Sequence, residues 1–215
     1  RGLGDVYKRQ NGDLVVRDKK SGNILIQSPF YLRVGREFSQ VLESRTSSNM
    51  FCWEPYILKP EIKYRKSDRT AWGREVQLDC QWNRVDSIGQ YISGHVTILV
   101  YDNGAVGIEY SLAASPEARG MLTECGLTIM MNQQVNTFHW LGQGIYSSVP
   151  RKAKHNERGL WSLHKDDYRF SGNRGGVDLA LLSSSDGSGI LVCDEIGNIG
   201  VDKMNGNMIL SQNVH

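Results

Sequence analysis

The chain has no apolar run long enough to cross a bilayer as a helix. It has almost no charge imbalance: 25 Lys and Arg against 23 Asp and Glu leave a formal net charge of +2. That is too small to draw a nucleic acid or an anionic membrane surface by electrostatics, so neither partner is expected. The short basic runs Lys63-Tyr64-Arg65-Lys66 and Arg151-Lys152-Ala153-Lys154 read as solvated faces. There is no C-x-x-C and no histidine pair at metal-ligand spacing, and Cys52, Cys80, Cys125 and Cys193 are widely scattered. Cys80 and Cys125 alternate with apolar neighbours, as buried thiols do, while the even count leaves disulfides open in an oxidising compartment. A G-x-S-x-G elbow, a phosphate loop and a zinc signature are all missing. Gly142-Gln143-Gly144 is too short for a dinucleotide site. No cofactor and no metal is expected.

Long helical periodicity is missing too, and what stands in its place is alternation. Ile92, Gly94, Val96, Ile98 and Val100 share one face of a strand, and Val106, Ile108, Tyr110 and Leu112 share one face of a second. Asn103-Gly104 lies between them, a pair that suits a type I′ hairpin turn with positive φ at both central residues. Leu127, Ile129 and Met131 alternate in the same way. A third hairpin is expected to pair Val177, Leu179 and Leu181 with Ile190 and Val192 across Ser184 to Gly189. Further strands are expected at Asp13 to Arg17, Val76 to Trp82, Gly200 to Lys203 and Met208 to Ser211. Ser115 to Arg119 suits a single helical turn, with Ser115 as cap and Pro116 at the first position. Trp82 continues the Val76-Leu78-Cys80 alternation and is expected in the core; Trp53 suits a loop packing against another domain. Repeated strands with turn signals indicate an all-β antiparallel sandwich, and 215 residues can bury its core as one domain.

The segment from Trp140 to Trp161 is irregular, rich in Gly, and bracketed by two tryptophans. Ordered loops of this kind are packed surface features. The spacing of Trp140, Gly142, Gly144, Tyr146, Pro150, Gly159 and Trp161 resembles a block in the C-terminal β-sandwich of family-2 glycoside hydrolases of the β-galactosidase type. That block reads approximately W-x-G-x-G-P-x-E-x-Y-x-D-R, then a spacer and G-x-W. Here Ile145, Ser147, Val149 and Arg151-Lys152 stand where the family has Pro, Glu, Tyr and Asp-Arg. The Trp and Gly frame is kept while its acidic groups are lost. Asp18-Lys19-Lys20-Ser21-Gly22 is similar to the family's opening turn, Gly126-Leu127 keeps part of a P-R-x-G-L step, and Gly172-Asn173-Arg174 with Val177 is similar to its G-N-R-x-x-V step. Arg33 to Arg36 do not match.

The resemblance implies a galactose-mutarotase-like supersandwich over residues 11–215, incomplete at its C-terminus. It implies an accessory domain that packs on a catalytic barrel of the same parent chain and meets a β-galactoside-like carbohydrate through that parent. The family's catalytic glutamates lie on the barrel, so no catalytic residue is expected here. Asp166-Asp167 are adjacent and would point apart, which does not suit a glycosidase pair. Tyr146, Trp161, His164 and Arg174 fall in or after loops that the family places at one edge of the sandwich. They are the candidate carbohydrate-binding residues, since sugars stack on aromatic rings and need paired donors and acceptors. Each also has a plain structural reading: core packing for Trp161, a surface imidazole for His164, an ion pair for Arg174. Residues 1–10 are read apart from the domain, because Asp5 to Gln10 is the string a common transposon sequencing adapter encodes. The alternative is a free-standing carbohydrate-binding module or a mutarotase-like epimerase. An epimerase needs a His and a carboxylate poised over the sugar ring. His95 is on the face opposite Val96, with no acidic partner evident from the sequence.

Overall fold

Period-two alternation decides this structure. In the computed structural model, which describes residues 4–8, 13–34, 56–83, 91–116, 125–146, 156–193 and 197–214, the regular elements are antiparallel strands. In chain order the first nine are β1 (Gly4–Lys8), β2 (Leu14–Asp18), β3 (Ile24–Ser28), β4 (Tyr31–Val34), β5 (Tyr56–Leu58), β6 (Pro60–Thr70), β7 (Gly73–Asn83), β8 (Tyr91–Tyr101) and β9 (Val106–Ala114). Then come β10 (Cys125–Met130), β11 (Val135–Gln143), β12 (Arg158–His164), β13 (Gly172–Gly175), β14 (Leu179–Ser184), β15 (Gly189–Val192), β16 (Asn198–Met204) and β17 (Asn207–Val214). They form four sheets: β1-β2-β3, β13-β16-β17-β10-β4-β5, β12-β11-β14-β15 and β6-β7-β8-β9. β1, within the segment read apart from the domain, pairs with β2 from Gly4↔Asp18 to Lys8↔Leu14.

The six-stranded sheet organises the core. One register row runs across it: Arg174, Ile199, Gln212, Leu127, Leu32 and Leu58. Directly paired residues of antiparallel strands project to the same side, so this row lines one face. Both four-stranded sheets join it in a single core. From β7 and β8, Val76, Leu78, Cys80, Trp82, Ile92, Val96 and Ile98 turn inward. From β11, β12 and β14 come Phe138, Trp140, Leu163, Ala180 and Leu182. Trp82 is fully buried, and its indole N–H donates to the Phe30 carbonyl at 2.9 Å, which satisfies the one polar atom it brings inside. Cys80 is buried, Cys125 partly so and Cys193 exposed.

Two hairpins differ from expectation in instructive ways. The β8–β9 hairpin forms, with Val100 opposite Val106, but Gly104 alone in its turn has a positive φ, 92°. A longer loop lets Asn103 stay in an ordinary conformation, where its side-chain oxygen accepts from the Ala105 N–H at 2.9 Å. The type I′ signature lies instead at Asn205-Gly206, with φ of 52° and 78°, closing β16 onto β17 through Met204↔Asn207. In the β14–β15 hairpin the pairs are Leu182↔Ile190 and Ala180↔Val192. Ala180 and Leu182 therefore face the core, while Leu179 and Leu181 face out. The expected grouping of Leu179 and Leu181 with Ile190 is one residue off, and a one-residue slip reverses the face. Of the helical turn expected at Ser115 to Arg119, residues 117–119 lie outside the described residues, as does Trp53.

Asp186 clamps the β14–β15 turn. Its carboxylate accepts from the Ser184 hydroxyl at 2.7 Å, the Ser188 hydroxyl at 2.6 Å, the Ser188 N–H at 2.9 Å and the Asn23 amide at 2.8 Å. Those donors, the Ser188 hydroxyl foremost, hold its pKa down at about 2. A depressed folded pKa contributes stability that is present above the unfolded value and lost as pH falls through the folded one. Denaturant midpoints measured from pH 5 to pH 2 should therefore fall less steeply for Asp186→Asn than for the parent chain. Glycine variants test the core. Gly94→Ala places a methyl 2.7 Å from the Ser111 carbonyl and 2.9 Å from the Trp82 ring. Gly206→Ala meets nothing within 4 Å and suffers only backbone strain. We expect about 1 kcal/mol lost for Gly206→Ala and at least twice that for Gly94→Ala in chemical denaturation.

Candidate functional site

The two tryptophans of the Gly-rich segment are in strands. β11 runs through Gln143 and β12 begins at Arg158, so Trp140 pairs with Trp161 and Gly142 with Gly159. The segment expected to be irregular throughout is thus zipped at its ends, and the loop proper is 144–157. Within it, residues 147–155 lie outside the described residues, including Ser147, Val149, Pro150 and Arg151. The glycines have a steric cause. A Cβ on Gly142 would sit 2.6 Å from the Gly176 carbonyl, and one on Gly144 would sit 2.8 Å from the Asn156 side chain. Trp140 is buried and stacks on Phe138, with ring centroids 4.9 Å apart at 16°. Its indole N–H donates to the Gln143 carbonyl at 3.1 Å, and that of Trp161 donates to the Gly142 carbonyl at 3.2 Å. Both indoles therefore brace the exit of β11.

The four candidate carbohydrate-binding residues do not share one surface. Tyr146 is 59% exposed where the loop leaves β11. Trp161 is half-buried on the inward face of β12. His164, three residues on, is exposed on the opposite face, and its Nδ1 accepts from the Asp166 N–H at 3.3 Å. Arg174 is 0% exposed. Its guanidinium lies 5.3 Å from the Trp140 ring centroid. It donates to the carbonyls of Arg169 at 2.7 Å, Phe170 at 3.1 Å and Asn173 at 3.2 Å. Among the described residues no carboxylate pairs with it, so the expected ion pair is replaced by backbone carbonyls. Burial pushes its pKa down to about 10, which still leaves it charged at neutral pH. The arrangement brings Trp161 and Arg174 together around Trp140, and leaves Tyr146 and His164 at the surface. Asp166 and Asp167 do diverge: Asp167 forms a two-point pair with Arg169, at 3.0 and 2.8 Å, while Asp166 turns to His164 and Lys203.

Two further features were not foreseen. The first is the outer face of the β12-β11-β14-β15 sheet. Leu141 pairs with both Leu160 and Leu179, and Leu181 pairs with Leu191. Leu160 is 79% exposed, Leu191 60%, Leu141 40% and Leu181 37%. Adjacent exposed leucines on neighbouring strands form a contiguous apolar patch, where scattered ones would need no explanation. The second lies on the outer face of β6-β7-β8-β9. Asp79 is directly opposite His95, and its carboxylate receives the imidazole Nδ1–H at 2.6 Å. His95 thus has the acidic partner that the sequence did not reveal. The usable signal was register: pairing Trp82 with Ile92, the ends of two alternating runs, puts Asp79 against His95.

No protein-family model and no curated protein matches this chain. Its site must be judged from its own geometry. That geometry divides the conserved-looking frame into a buried part and an open part. Trp140→Ala should cost about 3–5 kcal/mol, the usual loss for a buried large aromatic. Trp161→Ala, on a half-exposed ring, should cost clearly less. Equal losses in urea denaturation would contradict this division.

Proposed function

We propose that this chain is the C-terminal accessory sandwich of a β-galactosidase-like glycoside hydrolase. In this reading it packs on a catalytic barrel of the same parent chain and helps shape the sugar site, with Tyr146 on the loop that faces it. The sequence likeness of the Trp140 to Trp161 block motivates the assignment. The observation that carries it is the outward leucine face of β12-β11-β14-β15. A sheet with one face in its own core and the other exposing Leu141, Leu160, Leu181 and Leu191 is suited to a second covering layer. An ion pair between Arg158 and Asp178 beside that patch supplies a polar rim, as interfaces commonly have. The Gly142 and Gly144 contacts explain why the likeness survives in glycine and tryptophan: those positions hold the scaffold and tolerate no side chain or no smaller ring.

The genomic sequence upstream provides the test. A barrel-encoding stretch with two facing acidic residues, in frame with this chain, is the expected result. A different domain there, or none, would sink the reading. Two measurements on protein accompany it. The 215-residue chain alone should turn over no aryl β-galactoside, since it holds no facing carboxylate pair among its described residues. Leu160→Ser should change the stability of this chain by less than about 0.5 kcal/mol, because the side chain is already in water. The same change in the parent enzyme should lower the temperature at which the sandwich detaches from its neighbour.

A further inference from the structure

A hollow on the outer face of β6-β7-β8-β9 is unconnected with the leucine face and the Trp140 loop. Its volume is about 390 Å3, and its polar rim is Lys63, Asp79, Gln81, Ser93, His95 and Ser111. Two local features open it. The β6–β7 register shifts between Ile62 and Tyr64, so Lys63 is the extra residue of a bulge that bends the edge strand. Ala113, opposite Ser93, presents only a methyl group. Cys80 and Gly94 are paired positions that face the core, so only their backbone lies beneath the hollow and forms its floor.

We propose that this hollow is a binding site for a neutral hexopyranose, organised by the His95–Asp79 pair. The charge pattern argues for a neutral ligand. Asp79 repels an anion and Lys63 repels a cation, and the two lie on the same rim. The hydrogen-bonding pattern argues for a polyol. An ionised carboxylate only accepts, so the 2.6 Å contact uses the His95 Nδ1–H. With Nδ1 donating, the imidazole in its neutral form offers Nε2 as an acceptor, and Asp79 keeps its second oxygen. Lys63 retains donors beyond the Glu61 contact at 2.8 Å, and Gln81 retains its carbonyl oxygen while its amide N–H reaches Asn83 at 2.6 Å. The Ser93 hydroxyl donates to the Ala113 carbonyl at 3.4 Å and keeps its acceptor lone pairs, while the Ser111 hydroxyl serves either way. Adjacent sugar hydroxyls need this mixture of acceptors and donors, and the Ala113 methyl with the bare sheet suits a C–H face. The Ser111–His95–Asp79 row looks like an acyl-transfer triad, but the chemistry does not follow. The backbone N–H groups around it are committed to the β7–β8 and β8–β9 ladders, which leaves no donors for an oxyanion.

The site is independent of the hydrolase reading. It needs no barrel, and its residues touch neither the leucine patch nor Tyr146. The test titrates the full 215-residue chain with D-galactose, D-glucose and D-mannose, following the imidazole C–H signals by NMR. A saturable shift of the His95 signals by at least one hexose is expected, with Kd on the order of 1 mM. His95→Ala and Asp79→Asn should each weaken that binding about tenfold or more, the loss expected when a charge-assisted contact is removed. The two residues are half-exposed, and unchanged far-UV spectra and melting curves would show that the variants fold. Binding by His95→Ala is followed by ligand-observed saturation transfer. Tyr146→Ala should bind as the parent chain does. No saturable shift with any of the three sugars overturns the proposal. So does binding that survives both substitutions, or a shift produced by inorganic phosphate and not by the sugars.

Discussion

Arg174 carries a full positive charge into the interior, and the surrounding structure is arranged around that charge. An unpaired buried cation is strongly unfavourable, and only close dipoles or an opposite charge can offset it. Here the dipoles are three carbonyls, from Arg169, Phe170 and Asn173, and the π-face of Trp140. Those carbonyls converge only if the turn after β12 curls back over the start of β13. The ring lies beneath the guanidinium only if β11 crosses β13 at this point. One side chain therefore fixes the turn, seats β13, and joins the six-stranded sheet to the sheet of β11. An apolar residue of similar volume would fill the space without specifying which carbonyls gather there. Desolvation lowers the pKa of this group to about 10, so it stays a cation at neutral pH, while its Nε is buried without a hydrogen-bond partner among the described residues.

The rest of the core follows from that junction by register. Once β13 is placed, Arg174 opposite Ile199 sets β16, and the row continues through Gln212, Leu127 and Leu32 to Leu58. Buried polar groups on the opposite face obey the same order. Thr128 pairs with Ser211, and their hydroxyls meet at 2.7 Å, so two fully buried side chains satisfy each other. Ser28 extends the pattern by accepting from the Met130 N–H at 3.0 Å, where β3 approaches β10.

Fold class was legible because alternation is a local signal. Strands near Val76 to Trp82, Ile92 to Val100, Gly200 to Lys203 and Met208 to Ser211 needed only neighbouring residues to declare themselves. Turn type was less legible. Asn103-Gly104 and Asn205-Gly206 look alike, yet loop length separates them, and loop length depends on where each strand stops pairing. The face of β14 was misread for a related reason: Leu179, Leu181 and Leu182 are all leucine, so the sequence does not say which pair the core takes. The Asp79–His95 contact was illegible because it joins residues across two strands with an intervening connection, and only the register brings them opposite. Arg174 was flagged by a motif, but its neighbours are backbone atoms, which carry no sequence signature.

The two four-stranded sheets differ in the chemistry of their outer faces. Along the outer face of β6-β7-β8-β9 the out-facing positions include Glu75, Gln77, Asp79, Gln81, Ser93, His95 and Glu109, as suits a sheet with one face in water. Polar side chains predominate there, with Leu99, Tyr91 and Ala113 among them. Along β12-β11-β14-β15 the inner positions are just as apolar, but Leu141, Leu160, Leu181 and Leu191 are apolar on the outside as well. Hydrophobic burial within this chain accounts for little of Leu160 and Leu191, 79% and 60% exposed, and for only part of Leu141 and Leu181. Leucines in water contribute nothing to folding that a polar residue would not match, and they raise the risk of association. Their presence on paired strands suits contact outside this core, whereas the polar outer face of the other sheet suits water. The two faces differ in chemistry, and a common explanation for both would have to ignore the chemistry of one.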